Sequence, residues 1–199
     1  RSLFDVSHMA PTHLTRARPT GDAVRDHAEV AAIVEALTSA DVRGLKPGDM
    51  RYTLLLNEGG GILDDLMVGR SDAQAGRLYV VVNAGTKDAD FALIAQSALG
   101  AASLDPSEYG LLALQGPEAA SVMATLVPAA TSLGFMQVGA FALDGAPATI
   151  SRSGYTGEDG FEILVPANRT ASLCQRLLDD PRVKPIGLGA RDSLRLEAG

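Results

Sequence analysis

The sequence predicts an α+β fold, with antiparallel sheets and packed helices. Three observations carry this. Short apolar runs such as Leu78-Tyr79-Val80-Val81-Val82-Asn83 have the length and β-branched content of strands. Glycine turns at Gly59-Gly60-Gly61 and Asp144-Gly145 reverse the chain within a few residues, which joins antiparallel neighbours. Between these runs, apolar residues recur at helical spacing.

Asp22 to Thr38 predicts a helix with His27, Val30, Ala31, Val34 and Leu37 as its buried stripe. A loop over Gly44 to Gly48 follows. Arg51 to Asn57 predicts a strand, and Ile62 to Gly69 its return across the glycine turn. The continuous run Leu78 to Asn83 predicts a strand buried on both faces. Thr86 is placed to cap a helix running to about Leu99, with Asp88 and Asp90 near the positive end of its dipole. Its expected stripe is Phe91, Ile94, Ala95 and Ala98.

In the second half, Tyr109 to Gln115 predicts a strand. Gly116-Pro117 turns the chain, with Pro117 at the first position of a helix carrying Ala119, Val122, Met123 and Leu126 inward. Phe141 to Leu143 and Ala148 to Ser151 form a hairpin about Asp144-Gly145. Phe161 to Val165 is a further strand. Asn168 caps a helix bearing Leu173, Cys174, Leu177 and Leu178, and Ala190 to Ala198 is helical. The order strand, helix, three strands, helix approaches a ferredoxin-like split βαβ.

Composition narrows the classes of function. Hydrophobic residues are 46 % and charged residues 21 %, as in an ordinary globular chain of 199 residues. The net charge of -7 and the lack of a basic run argue against a nucleic-acid partner. No apolar run approaches the roughly 18 residues that span a bilayer, and no signal peptide opens the chain. Cys174 is the single cysteine, so no internal disulfide forms. His8, His13 and His27 lack metal-ligand spacing, and no metal is expected. Both ends, at Arg1 and Gly199, read as cuts through a longer protein.

Three segments hold candidate chemistry. In Ile62-Leu63-Asp64-Asp65-Leu66-Met67, strand alternation puts the two acids on opposite faces, so one lies among apolar neighbours. A buried carboxylate needs a partner, and a ligand is one choice; a hairpin with two solvated acids is the other. Glycines at 154, 157 and 160 punctuate a loop holding Tyr155, Thr156, Glu158 and Asp159, with Glu162 on the next strand. It does not match the phosphate-binding P-loop and is a poor dinucleotide fingerprint, and taken alone it fits a structural loop better than a ligand site. Arg191 stands in the first turn of a helix, where the dipole disfavours it; a local pair with Asp192 would also account for it.

Taken in order, these segments resemble the aminomethyltransferase family, the T-protein of the glycine cleavage system. The matching stretches are Leu3-Phe4-Asp5-Val6-Ser7-His8-Met9, Asn57-Glu58 with Gly60 to Leu66, Val82-Asn83-Ala84, Ala113-Leu114-Gln115-Gly116-Pro117, Gly154 to Glu162, and Gly187 to Asp192 through Arg195 to Gly199. The resemblance implies transfer of a one-carbon unit from an aminomethyl group on the lipoyl arm of H-protein to tetrahydrofolate, with release of ammonia. It implies Asp64 as the essential carboxylate near the reacting folate nitrogens. It assigns Met9, Tyr52, Asn83 and Tyr155 to the folate site, and Glu162 and Arg191 to the pterin ring. It selects Asp64 as the inward acid, with Ile62 and Leu66 on the pocket face and Asp65 on the other.

The same resemblance implies a folate-binding first part over 1–105 and a ferredoxin-like second part over 106–199. The family's C-terminal barrel domain is absent after Gly199, which leaves an isolated 1–199 chain open to being inactive. The expected partner is lipoylated H-protein, with no nucleic acid or membrane, and the expected state is a monomer. The expected compartment is the bacterial cytoplasm, or the mitochondrial matrix in a eukaryote. Two alternatives share the fold: a folate-dependent demethylase of methylated amines, and a non-catalytic folate-binding paralogue or fragment. Paralogues of the latter kind carry a cysteine in the glycine-tyrosine loop, and Arg152 to Gly160 has none.

Overall fold

The computed structural model describes residues 2–199, and they form two compact units. One unit is Met9–Ser107. The other joins the chain up to His8 with Glu108–Gly199. The architecture is α+β, with two sheets and five α-helices among the described residues.

Within residues 9–107, five strands form an antiparallel sheet. They are β2 (Ala10–Arg16), β3 (Met50–Leu56), β4 (Ile62–Arg70), β5 (Arg77–Val82) and β6 (Ala102–Leu104), in the order β3-β4-β5-β2-β6. Helices α1 (Ala23–Glu35) and α2 (Lys87–Ala98) cover the sheet. Asp22 caps α1 by accepting from the amides of Val24 at 3.0 Å and Arg25 at 3.1 Å, which satisfies two donors that a helix start leaves open. The expected α1 stripe is buried at His27, Val30, Ala31 and Val34; Leu37 lies beyond the helix end and packs only partly. Leu78, Val80 and Val82 enter the core, while Tyr79 and Val81 are buried on the opposite face, as the unbroken apolar run requires.

Helix α2 corrects the expected stripe. Its buried residues are Asp90, Ile94 and Ala98, at i, i+4 and i+8; Phe91 is half-buried and Ala95 is exposed. The inward line is turned so that a carboxyl takes its first place. Thr86 stands at the N-cap, but its side chain makes no capping bond.

The other unit holds a six-stranded sheet ordered β11-β1-β7-β10-β9-β8. Its strands are β1 (Ser2–Asp5), β7 (Tyr109–Gln115), β8 (Gln137–Leu143), β9 (Ala146–Arg152), β10 (Gly160–Pro166) and β11 (Lys184–Pro185), with helices α3 (Ala119–Leu126), α4 (Ala167–Leu178) and α5 (Leu188–Ala198). The split βαβ is present as β7, α3, β9, β10, α4 and β11, with two additions. Strand β8 adds an edge next to β9, and β1 lies between β7 and β11.

That second addition corrects the expected boundary. A division at 105/106 assigns residues 1–8 to the first part. Instead β1 pairs with β7 antiparallel, Ser2 opposite Gln115 and Asp5 opposite Leu112, while Phe4 and Val6 are fully buried. An unpaired apolar segment gains both ladder bonds and burial there. Two caps differ as well. Helix α3 starts at Ala119, two residues after Pro117, and α4 starts at Ala167, so Asn168 lies within it rather than before it.

Candidate functional site

In the 9–107 unit the acidic hairpin is built around Asn57. Its Oδ1 accepts from the amides of Gly59 at 3.0 Å and Gly61 at 2.8 Å, which ties the turn. The β3–β4 register runs evenly from Met50–Gly69 to Leu55–Asp64, then shifts so that Leu56 faces Ile62. A bulge adds one residue and breaks strict alternation. Asp64 therefore continues the face of the buried Leu66 and Val68, but Ile62 does not join it and is exposed.

Asp64 is half-buried and held by three donors. The Asn83 side-chain amide donates to its Oδ1 at 2.9 Å, the Thr86 hydroxyl to Oδ2 at 2.7 Å, and the Asn83 backbone N–H reaches Oδ2 at 3.4 Å. Burial alone would raise the Asp64 carboxyl; the bonds from Thr86 and Asn83 overcome this and hold it below its ordinary value. Asn83 sits there because Met67 pairs with Val81, and two further residues of that register bring Asn83 across from Asp65. Its amide also donates to the Asp65 backbone oxygen and to Asp65 Oδ1, each at 3.1 Å. Asp65 is thus not turned wholly away: one amide at the strand end reaches both acids.

Two residues of this cluster depart from the helix-start roles that the sequence predicts for them. Thr86 gives its hydroxyl to Asp64 rather than to its helix. Asp90, one turn further on, is 3 % exposed and lies within hydrogen-bond reach of Asp64. The available signal was the i, i+4 spacing of Thr86 and Asp90 directly after Asn83. Of the other expected residues in this unit, Tyr52 lies on β3 opposite Met67 with 54 % of its surface exposed, and Met9 is half-buried just before β2.

In the other unit, Tyr155, Glu162 and Arg191 come together. Glu162 lies on β10 between Ala113 of β7 and Ser151 of β9. Burial pushes its carboxyl above the ordinary value, opposed by the Arg191 charge and by the Ser153 hydroxyl, which donates to Oε2 at 3.4 Å. The Arg191 and Arg195 guanidiniums stand 4.9 Å and 5.5 Å from the centre of the Tyr155 ring, a cation–π arrangement. Arg191 is accounted for by Tyr155 and Glu162 rather than by Asp192.

The loop carrying Tyr155 is braced by Gln115, which is 2 % exposed. Its Nε2 donates to the Ser153 carbonyl at 3.0 Å, and its Oε1 accepts from the Thr156 hydroxyl at 3.0 Å. A Cβ on Gly154 would lie 1.9 Å from Gln115 Oε1, and one on Gly160 2.2 Å from Nε2. These two glycines admit the brace. Arg152 closes the base, donating to both Asp159 carboxylate oxygens at 2.9 and 2.8 Å.

Each cluster offers its own chemistry. The Glu162 carboxylate can accept two side-by-side N–H bonds from a planar heterocycle, with Arg191 donating to a neighbouring carbonyl. Asp64, anionic and fixed by neutral donors, suits a nitrogen that gains positive charge or sheds a proton. Among the described residues, no group of three or more His, Cys, Asp or Glu is placed to hold a metal ion, and no helix is long and apolar enough to cross a membrane.

The model of the GCVT N-terminal domain matches residues 2–199. The mitochondrial aminomethyltransferase of Gallus gallus is 43 % identical over 206 residues, covering 100 % of this chain and 49 % of that protein. The aminomethyltransferase of Synechococcus sp. (strain RCC307) is 43 % identical, covering 98 % and 52 %. The crystal structure of glycine cleavage system aminomethyltransferase T from Bartonella henselae superposes with a TM-score of 0.83 at 43 % identity, over 100 % of this chain and 51 % of that one. A heterotetrameric sarcosine oxidase from Corynebacterium sp. U-96 shares the fold, with a TM-score of 0.55 at 18 % identity. The chain spans about half the length of the curated relatives it matches. With the family model matching all the described residues, the chain belongs to the GCVT N-terminal domain family.

Proposed function

We propose that this chain is the folate-binding portion of an aminomethyltransferase of the glycine cleavage system. The reaction transfers the one-carbon unit of an aminomethyl-lipoyl arm on H-protein to tetrahydrofolate and releases ammonia. The observation that carries the reading is Asp64, a half-buried carboxylate held anionic by Asn83 and Thr86 in a chain 43 % identical to named aminomethyltransferases.

In this reading tetrahydrofolate supplies the nucleophilic nitrogen that takes up the carbon unit. The residues present fit such a ligand. Glu162 and Arg191 would hold the pterin edge, with Tyr155 as an apolar platform beside them. Met9, Tyr52 and Asn83 would complete the folate contacts. Asp64 would orient the nitrogen, offset its developing positive charge and accept its proton. The compartment follows the source: bacterial cytoplasm, or mitochondrial matrix. The protein acts as a monomer beside H-protein.

The rival is transfer from free methylated amines. What favours H-protein as donor is the naming of the relatives at 43 % identity, whereas the sarcosine oxidase likeness at 18 % concerns the fold alone. The two are separated by supplying the intact protein with tetrahydrofolate and either aminomethylated H-protein or dimethylglycine. Methylenetetrahydrofolate is expected from the first donor, and no 5-methyltetrahydrofolate from the second. Formation of 5-methyltetrahydrofolate from the amine, with no transfer from H-protein, would overturn the reading.

A further inference from the structure

Asp90 is the feature of this unit that its place in the helix does not explain. A carboxyl in the first turn is ordinarily solvated and offsets the dipole. Asp88 does that, being exposed. Asp90 instead occupies the apolar line with Ile94 and Ala98 and is 3 % exposed, and its Oδ2 meets no hydrogen-bond donor. Burying a carboxyl without a partner costs several kcal/mol, so a side chain kept there has a counterpart.

The counterpart is Asp64. The two carboxyls lie within hydrogen-bond reach of each other. Thr86 stands beside both, but its one hydroxyl hydrogen goes to Asp64 Oδ2 at 2.7 Å. Two ionised carboxylates are both acceptors, and a contact between them closes only when one carries a proton. Asn83 and Thr86 already favour charge on Asp64. A proton shared by the pair would therefore rest on Asp90, with its O–H directed at Asp64.

We propose that Asp90 is a positioning residue for Asp64: the two side chains share one proton, and the charge state of Asp90 sets how strongly Asp64 attracts a proton or a cation. With Asp90 neutral, its hydrogen bond stabilises the Asp64 anion and makes it a weak acceptor. With Asp90 ionised, that bond is lost, a like charge faces Asp64, and Asp64 becomes the stronger base. Nothing is consumed; one proton leaves the pair to solvent as pH rises.

The electrostatics agree in direction. Burial first, then the Asp64 hydrogen bond and charge, raise Asp90 to about 6, against the Thr86 bond. Asp64 moves the opposite way. Among the described residues, Asp64 from β4 is the charged group that acts on Asp90, with Thr86 the neighbouring hydroxyl. Such a pair titrates as a unit.

The pairing is tested on the intact protein by carboxyl ¹³C titration, whether or not the protein turns over. The wild type is expected to show a step at about pH 6 on the Asp90 carbon, mirrored on the Asp64 carbon. Asp64→Asn should move the Asp90 step down, and Asp90→Asn should remove the step from the Asp64 carbon. An Asp90 step unchanged by Asp64→Asn, or an Asp64 carbon blind to Asp90, would overturn the proposal. The consequence for catalysis rests on the folate-transfer reading. There, Asp90→Asn should abolish the rise in kcat/KM centred at about pH 6 while leaving the affinity for tetrahydrofolate unchanged. Retention of that rise would also count against it. No transfer by the wild type would sink the transfer reading and leave the titration to decide the pair.

Discussion

At the residue scale, the charge on Asp64 depends on neutral donors rather than on a cation. A hydrogen bond to a charged group is worth roughly 1.5–3 kcal/mol. Thr86→Val should therefore move the Asp64 titration up and cost stability at pH values above that titration. An Asp64 titration that stays in place would show that the Thr86 bond of 2.7 Å is idle. His13 makes a second prediction. Burial, then the Arg77 charge, lower it to about 4 against the pull of Asp105. It is neutral when folded, while the unfolded chain binds a proton near pH 6.5. Its contribution is therefore intact above 6.5 and is lost as pH falls towards 4, by about 3 kcal/mol at most. Urea midpoints across that window should fall less steeply in His13→Gln; equal slopes would rule His13 out as the cause. Asp64, Asn83, Glu162, Tyr155 and Arg191 were candidates from the ordered motifs. Thr86 and Asp90 were not, because an N-cap threonine and a first-turn acid have ordinary local explanations, and only the three-dimensional approach of β4 to the start of α2 reveals their partner.

At the element scale, the glycine-tyrosine loop is held by Gln115 filling space that side chains on Gly154 or Gly160 would occupy. Gly160→Ala should cost about 1–3 kcal/mol through overpacking. Combined with Gln115→Ala, it should cost less than the sum of the two, since the clashing partner is gone. Additive losses in thermal unfolding would contradict the brace. Loop and strand were both visible in the sequence, but not their connection, because Gln115 and Gly160 lie far apart and meet through β7–β10 pairing. Periodicity found α1 and α2 but misjudged the inward face of α2 at Ala95, since an apolar count gives no place on the buried line to Asp90. The hairpin bulge was equally hidden: a one-residue insertion leaves no compositional mark.

At the scale of the whole molecule, alternation of element types was enough to predict α+β and the split βαβ, but not the excursion of β1 into the sheet of residues 108–199. That pairing is non-local, and Leu3-Phe4-Asp5-Val6 reads as an apolar strand wherever it docks. Phe4→Ala should cost about 3–5 kcal/mol. Amide exchange should then accelerate in β7 and β10 before β4 and β5. Acceleration confined to β4 and β5 would place β1 elsewhere. The central claim remains the role of Asp64 in one-carbon transfer to folate. The most direct measurement is single-turnover formation of methylenetetrahydrofolate from aminomethylated H-protein, comparing the intact protein with its Asp64→Asn variant at saturating tetrahydrofolate. The variant is expected to lose at least about a hundredfold in rate with folate affinity retained; near-normal transfer by it would contradict this role of Asp64.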